Sequence, residues 1–195
     1  MALSTLDFVK QALDRRVNYT VSDTTLMPAA VMLLLYPKDG EYCILLNKRS
    51  QEVEHHKGEI SFPGGVRDPE DRDFLDTALR ETAEEMGISR DDVTVLGQLD
   101  DVVTRTNFGV RVFIGTIPYP YAFKPSAAEI AEVIEAPISA LMNPDNLRYE
   151  TRVVDGKLST VRSYAYQEHL VFGATAKILQ QFLEIVEDGP MKEEH

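Results

Sequence analysis

No run of 18 apolar residues occurs in this 195-residue chain, and its N-terminus lacks a basic-then-apolar leader pattern. Neither a membrane-spanning helix nor a secretory signal is expected, which leaves the expectation of a soluble cytoplasmic protein with no membrane partner. Positive charge is scarce: 20 Lys and Arg stand against 32 Asp and Glu, a net charge of −12. Such a surface has no general attraction for a polyanion, so a nucleic acid polymer is not an expected partner. Cysteine is almost absent. The single Cys43 lies in an apolar run; it excludes an intrachain disulfide and reads as a small core hydrophobe. His55 and His56 are adjacent, so they do not share a helical face, and no Cys or second His lies at zinc-ligand spacing. There is no P-loop, no G-x-G-x-x-G and no G-x-S-x-G around Ser61, which argues against kinase, dehydrogenase and serine hydrolase chemistry. The acid-rich Asp68–Asp73 lacks the central glycine and twelfth-position Glu of a calcium-binding EF-hand.

What is present reads as one α+β domain over residues 1–195. Ser4 to Arg16 is an amphipathic helix packed on that domain, with Leu6, Val9, Ala12 and Leu13 on one side. Ala29–Tyr36 and Tyr42–Asn47 are apolar runs around Lys38-Asp39-Gly40, a hairpin signal. Val93–Leu99, Val110–Ile117 and Ile130–Ala136 read as further strands, with Pro118, Pro120 and Pro125 marking an exposed loop between the last two. Arg148–Val154 and Val161–Tyr166 flank Asp155-Gly156, a second hairpin signal. Gly173–Val186 closes the fold as a helix burying Ile178, Leu179, Phe182 and Val186, and the charged tail 187–195 is expected to fray.

The chemistry concentrates between Gly64 and Ile88. Phe62-Pro63-Gly64-Gly65 is a turn where backbone can approach a ligand and N–H groups can meet phosphate oxygens. Asp73 to Met86 then reads as a helix, with Asp73 as N-cap, Gly87 as its terminator, and Leu75, Ala78, Leu79, Thr82 and Met86 on the core stripe. Glu81, Glu84 and Glu85 fall within about 100° of one another, off that stripe. Their mutual repulsion is relieved by a hard divalent cation, which prefers oxygen ligands. Arg80 lies one turn before Glu84 and can hold its carboxylate in place. Taken alone, a Glu-rich helix is more often a solvated acidic face; the preceding glycine turn favours diphosphate chemistry.

These residues resemble the Nudix hydrolases. The family box runs Gly, five residues, Glu, seven residues, then Arg-Glu-U-x-Glu-Glu-x-Gly-U with U apolar. Arg80 to Ile88 matches position for position, except that Thr82 occupies an apolar position. Upstream, Asp71 replaces Glu and the gap to Arg80 is eight residues. That expansion is similar to the coenzyme A diphosphatase branch, as is Leu45-Leu46-Asn47-Lys48-Arg49-Ser50 continuing through Gly58 to Gly65. Asn47 stands where Thr is usual and Glu54 where a basic residue is usual, a place Lys57 could take over. Val110–Gly115, Glu129-Ile130, Pro137-Ile138 and Phe172–Leu179 extend the likeness, so that it covers roughly Met27 to Phe182.

The resemblance implies an α/β/α sandwich with a mixed β-sheet, and a metal-dependent hydrolase of nucleoside-diphosphate compounds. Glu81, Glu84 and Glu85, with the backbone carbonyl of Gly65, would hold Mg²⁺ or Mn²⁺. Arg80 would orient Glu84. One of the glutamates, or Glu129, would take the proton of the attacking water. Arg49, Lys57, Gly64 and Arg67 are candidates for phosphate contact, with surface ion pairs as the alternative for the two arginines. Coenzyme A or an acyl-coenzyme A is the leading small-molecule substrate, cleaved to 4′-phosphopantetheine and adenosine 3′,5′-bisphosphate. ADP-ribose or a dinucleotide is the alternative within the enzymes, and a non-catalytic nucleotide-sensing module the alternative outside them. The oligomeric state stays open, a homodimer included.

Overall fold

The computed structural model describes residues 4–52, 57–154 and 157–189. Glu54, His55, His56, the Asp155-Gly156 turn and residues 190–195 of the tail lie outside the described residues. The chain order is α1 (Thr5–Asp14), β1 (Met27–Lys38), β2 (Glu41–Arg49), β3 (Ile60–Ser61), β4 (Gly64–Val66), α2 (Phe74–Met86), β5 (Thr94–Gln98), β6 (Val102–Val103), β7 (Phe108–Thr116), β8 (Ile130–Pro137), α3 (Ile138–Met142), β9 (Leu147–Val154), β10 (Lys157–Tyr166), β11 (His169–Val171) and α4 (Gly173–Glu187).

Strand β1 explains the architecture. Its unbroken apolar run is the pattern of a strand covered on both faces, and alternation sends successive side chains to opposite layers. Ala29, Leu33 and Leu35 join a core with Val9 and Leu13 of α1 and Ile178, Leu179, Phe182 and Val186 of α4. Ala30, Met32, Leu34 and Tyr36 join a second core with Ala78 and Met86 of α2. The sheet is therefore sandwiched between α1 and α4 on one side and α2 on the other. Full burial of a Leu or Ile side chain stabilises by about 1.5–3 kcal/mol each, so this central strand anchors both layers. The sheet is mixed: β1 runs parallel to β7 and antiparallel to β2. Asp39 (φ 52°) and Gly40 (φ 91°) turn the β1–β2 hairpin in the left-handed region, where Gly and Asp are the favoured residues.

One irregularity of that sheet makes room for the site. Along one edge of β1, residues Leu35–Lys38 pair with β2, whereas Ala29–Val31 pair with β4. Between them the edge forks: β2 leaves to pair with β8 and β3, and the Met32 amide is met by the carbonyl of Pro63 at 2.9 Å. The Phe62–Gly65 turn fills the fork, directly beside α2.

The long elements run as expected to within a few residues at each end. The structure adds what the sequence patterns did not resolve: the two- and three-residue strands β3, β4, β6 and β11, the short α3, and a separate sheet in the order β11-β10-β9. The loop 117–129 is exposed at Pro118, Pro120 and Pro125, but its aromatic residues turn inward. Tyr119 stacks on Tyr36 at 5.3 Å between ring centroids, and Phe123 meets the same ring at 5.9 Å. Cys43 is buried among these residues. No helix among the described residues is long and apolar enough to cross a membrane.

Candidate active site

Helix α2 is fixed at both ends by its own sequence. The Asp73 carboxylate accepts the Asp76 amide at 2.9 Å, and Gly87, at φ 68°, donates its N–H to Ala83 O at 2.9 Å. Between these caps Arg80 forms a hub. Its Nε and Nη2 donate to the two oxygens of Asp71 at 2.9 and 3.0 Å, and Nη2 also reaches Val66 O at 3.1 Å. Nη1 is shared between Glu81 Oε1 at 2.8 Å and Glu84 Oε2 at 3.0 Å. Asp71 is buried and takes two further donors, Thr77 Oγ1 at 2.8 Å and the Asp68 amide at 2.9 Å. The Arg80 guanidinium holds its carboxyl well below the usual carboxylate range. Asp71, which stands where the family box has Glu, is therefore the buried counter-ion of Arg80.

The three helix glutamates sit in different environments. Glu84 is exposed, Glu81 is half-buried, and Glu85 is 1 % exposed. Glu85 does not share the open face with Glu84, because β2 covers it. Asn47 Nδ2 and the Gly64 amide both donate to Glu85 Oε2, at 3.0 and 3.1 Å, and Arg49 Nη1 lies 3.3 Å from Oε1. Burial still outweighs these donors and pushes the Glu85 carboxyl up to about 7, with repulsion from Glu81 and Glu129 adding to the effect. Burial also raises Glu81, opposed by Arg80 and assisted by the charges of Glu84 and Glu129.

The glycine turn touches two of these carboxylates. A Cβ on Gly64 would strike Ala30 O, so β1 requires glycine there, and one on Gly65 would strike the Glu81 carboxylate. Glu81 thus lies against the backbone of Gly65. The Gly64 N–H, a sequence candidate for phosphate, is directed to Glu85. Arg49 stands beside Glu85, and Lys57 is exposed in the turn before Gly58. Arg67 lies elsewhere. It donates to the carbonyls of Asp71 and Arg72 at 3.2 and 3.4 Å, and its guanidinium is 5.2 Å from the Phe74 ring, at the start of α2. Phe74 and Glu85 are about 16 Å apart along the helix axis at 1.5 Å per residue. Glu129 occupies the turn before β8 and accepts from Ser126 Oγ at 3.5 Å. Asn47 and Ser61 were not singled out as site residues. The available signal was a polar residue closing the apolar run of β2.

The residues fit a divalent cation by the chemistry of their donors. Glu81, Glu84, Glu85 and the Gly65 carbonyl are all oxygen ligands, and two of the carboxylates carry raised pKa values, through burial first and the neighbouring carboxylates second. The glutamate oxygens are not drawn together to ligand spacing. Among the described residues, the one Asp, Glu, His or Cys trio with ligand atoms within 4.8 Å of one another is Glu132, Glu168 and His169. There His169 Nε2 is 3.1 Å from Glu132, whose other oxygen lies 3.8 Å from Lys48 Nζ.

Residues 26–165 match the NUDIX domain family. The chain is 35% identical over 159 residues to the uncharacterized Nudix hydrolase NudL of Photorhabdus laumondii, covering 82% of this chain and 84% of the relative. It is 35% identical over 166 residues to the mitochondrial coenzyme A diphosphatase NUDT8 of Mus musculus, covering 83% of this chain and 79% of that protein. Among solved structures, a MutT/nudix family protein from Enterococcus faecalis superimposes with a TM-score of 0.55 over 95% of this chain and 70% of its own, at 17% identity. That last likeness speaks to the fold alone.

Proposed function

Given that this chain belongs to the Nudix family and is a Nudix hydrolase, we propose that it cleaves the diphosphate of coenzyme A or an acyl-coenzyme A. The products are (acyl-)4′-phosphopantetheine and adenosine 3′,5′-bisphosphate. The observation that carries the diphosphate reading is that Glu81 and the buried Glu85 both lie against the Gly64–Gly65 turn, with Arg80 bridging Glu81 to Glu84. The substrate reading is supported by the similarity to a protein named a coenzyme A diphosphatase.

Each residue has a part that its surroundings favour. Glu81, Glu84 and Glu85, with the Gly65 carbonyl, would hold Mg²⁺ or Mn²⁺. When bound, the cation neutralises charge on the diphosphate oxygens and acidifies a water. Arg80 fixes Glu81 and Glu84 by sharing one nitrogen between them, and Asp71 fixes Arg80 in turn. Arg80 holds Glu84 through Oε2 only. That leaves Oε1 of this exposed side chain for the role of proton acceptor as the water oxygen bonds to phosphorus and the P–O bond to the leaving phosphate breaks, a role that Glu81, Glu85 or Glu129 could fill instead. Glu129 reinforces the negative potential of the site. Arg49 and Lys57 lie on the β2 side of the turn, where a substrate phosphate would meet them.

The test is metal-dependent hydrolysis across coenzyme A, acyl-coenzyme A, ADP-ribose, NADH and diadenosine polyphosphates, with products identified by mass. Preferential release of 4′-phosphopantetheine supports the proposal. Preferential cleavage of ADP-ribose or a dinucleotide removes the coenzyme A assignment and keeps diphosphate hydrolysis. No turnover with either Mg²⁺ or Mn²⁺ removes both.

A further inference from the structure

Asn47 is a buried carboxamide in a strand whose preceding residues, Cys43 to Leu46, are all apolar and buried. A buried amide is costly unless its donors and acceptors are met, and both sides of this one are used. Ser61, paired directly opposite on β3, donates its hydroxyl to Asn47 Oδ1 at 2.6 Å. On its other side Asn47 Nδ2 donates to Glu85 Oε2 at 3.0 Å. The Gly64 amide meets the same carboxylate oxygen at 3.1 Å. A carboxylate oxygen accepts and does not donate, so Asn47 must present its nitrogen to it. A hydroxyl given to Oδ1 supports that orientation and opposes the flipped one. Two neutral donors thus occupy Oε2, while Oε1 faces Arg49 at 3.3 Å.

Resting on the hydrolase reading above, we propose that Ser61 and Asn47 form a positioning relay for the cation. Ser61 orients the Asn47 amide, the amide with Gly64 engages Glu85 Oε2, and Oε1, met only by the longer 3.3 Å contact from Arg49, keeps a lone pair for a divalent cation. Neither residue touches substrate. Their work is to prevent the Glu85 side chain from rotating away. Residues that hold a metal ligand in this way typically contribute 10- to 100-fold to metal affinity (about that range).

Mn²⁺ affinity of the metal-stripped full-length protein, measured by electron paramagnetic resonance of free Mn²⁺ without substrate, tests this directly. Asn47→Leu is expected to bind Mn²⁺ about 10- to 100-fold more weakly, and Ser61→Ala about fivefold more weakly, the worth of one hydrogen bond. In the Asn47→Leu background Ser61→Ala is expected to add nothing, because the relay is already cut. Excess Mn²⁺ is expected to restore turnover in both single variants with an unchanged KM, which a damaged fold would not allow. Wild-type Mn²⁺ affinity in the variants, or a Ser61→Ala loss of equal size in both backgrounds, overturns the relay. If thermal melting in EDTA shows Asn47→Leu unfolded, Ser61→Ala decides alone, and unchanged affinity overturns the relay. Should wild-type protein bind Mn²⁺ but hydrolyse no diphosphate, the hydrolase reading fails while the affinity comparison still judges the relay.

Discussion

Helix α2 carries two buried carboxylates that behave in opposite ways. Asp76 accepts from Arg72 Nη2 at 3.0 Å and from the Arg72 amide at 3.2 Å, with Arg90 Nη1 at 2.7 Å. These partners, Arg72 first, lower its pKa to about 2. Glu85, a little over two turns further along, is raised to about 7 by burial. Burial is deeper at Glu85, which is 1 % exposed against 8 % for Asp76, and it is the leading cause there. Charge balance widens the difference: one carboxylate with two guanidiniums at Asp76, against Glu81, Glu84 and Glu85 with a single Arg80 already committed to Asp71 and with Arg49 at the margin. A carboxylate with surplus cations is a structural pin. A group of carboxylates short of cations is where, under the function proposed above, a divalent cation would bind.

The comparison breaks most visibly at Glu84. Glu84→Gln keeps the shape and removes a proton acceptor, so kcat is expected to fall by about 10²–10⁴-fold, with the melting temperature unchanged because the side chain is exposed. Unaltered turnover would remove Glu84 from the chemistry. Arg80→Ala is expected to act on the fold as well. It strands the Asp71 carboxylate, and leaving one member of a buried ion pair alone costs about 3–5 kcal/mol, readable in urea unfolding. If stability were untouched, Asp71 would not depend on Arg80.

The pH dependence sharpens the contrast further. At Asp76 the folded pKa lies below the ordinary aspartate value, so acid protonates the unfolded chain first. Stability is expected to be lost as pH falls from about 4 towards 2. At Glu85 the folded pKa lies above the ordinary glutamate value, so in EDTA stability is expected to fall as pH rises from about 4.5 to 7. Urea midpoints of Asp76→Asn and Glu85→Gln across pH 2–7 separate the two: each variant is expected to lose only its own slope, and a shared loss would refute the distinction. The smallest effect belongs to Asp73. Asp73→Ala removes the N-cap and is expected to cost about 1 kcal/mol, with kcat per folded molecule unchanged, since the cap serves the helix and not the site.

Most long elements were legible because their signals are local. Alternation and unbroken apolar runs marked β1, β2, β7 and β8, the Asp73 and Gly87 caps marked α2, and the 3.6-residue period marked α1 and α4. The short strands β3, β4, β6 and β11 exist only as partners of longer ones, and two or three residues carry no period. In the loop 117–129 the prolines spoke for exposure, while the burial of Tyr119 and Phe123 depends on Tyr36, more than 80 residues away in sequence. At the site, Arg80, Glu81, Glu84 and Glu85 were readable from helical spacing. What spacing could not convey was that Asp71 neutralises Arg80, that β2 buries Glu85, or that Arg67 lies by Phe74 at the far end of the helix.

The sequence by itself determined the ingredients: a Nudix-type helix with three glutamates and an arginine, a glycine turn ahead of it, and an excess of acidic over basic residues. Those follow from residue type and short-range spacing. Only the tertiary structure decided how the three glutamates divide their environments, with Glu84 open, Glu81 against Gly65, and Glu85 enclosed by Asn47, Arg49 and Gly64. The reason is physical: the charge state and orientation of a carboxylate depend on the dielectric and the donors around it, and here these come from β2 and the forked edge of β1, elements far removed from the helix in the chain.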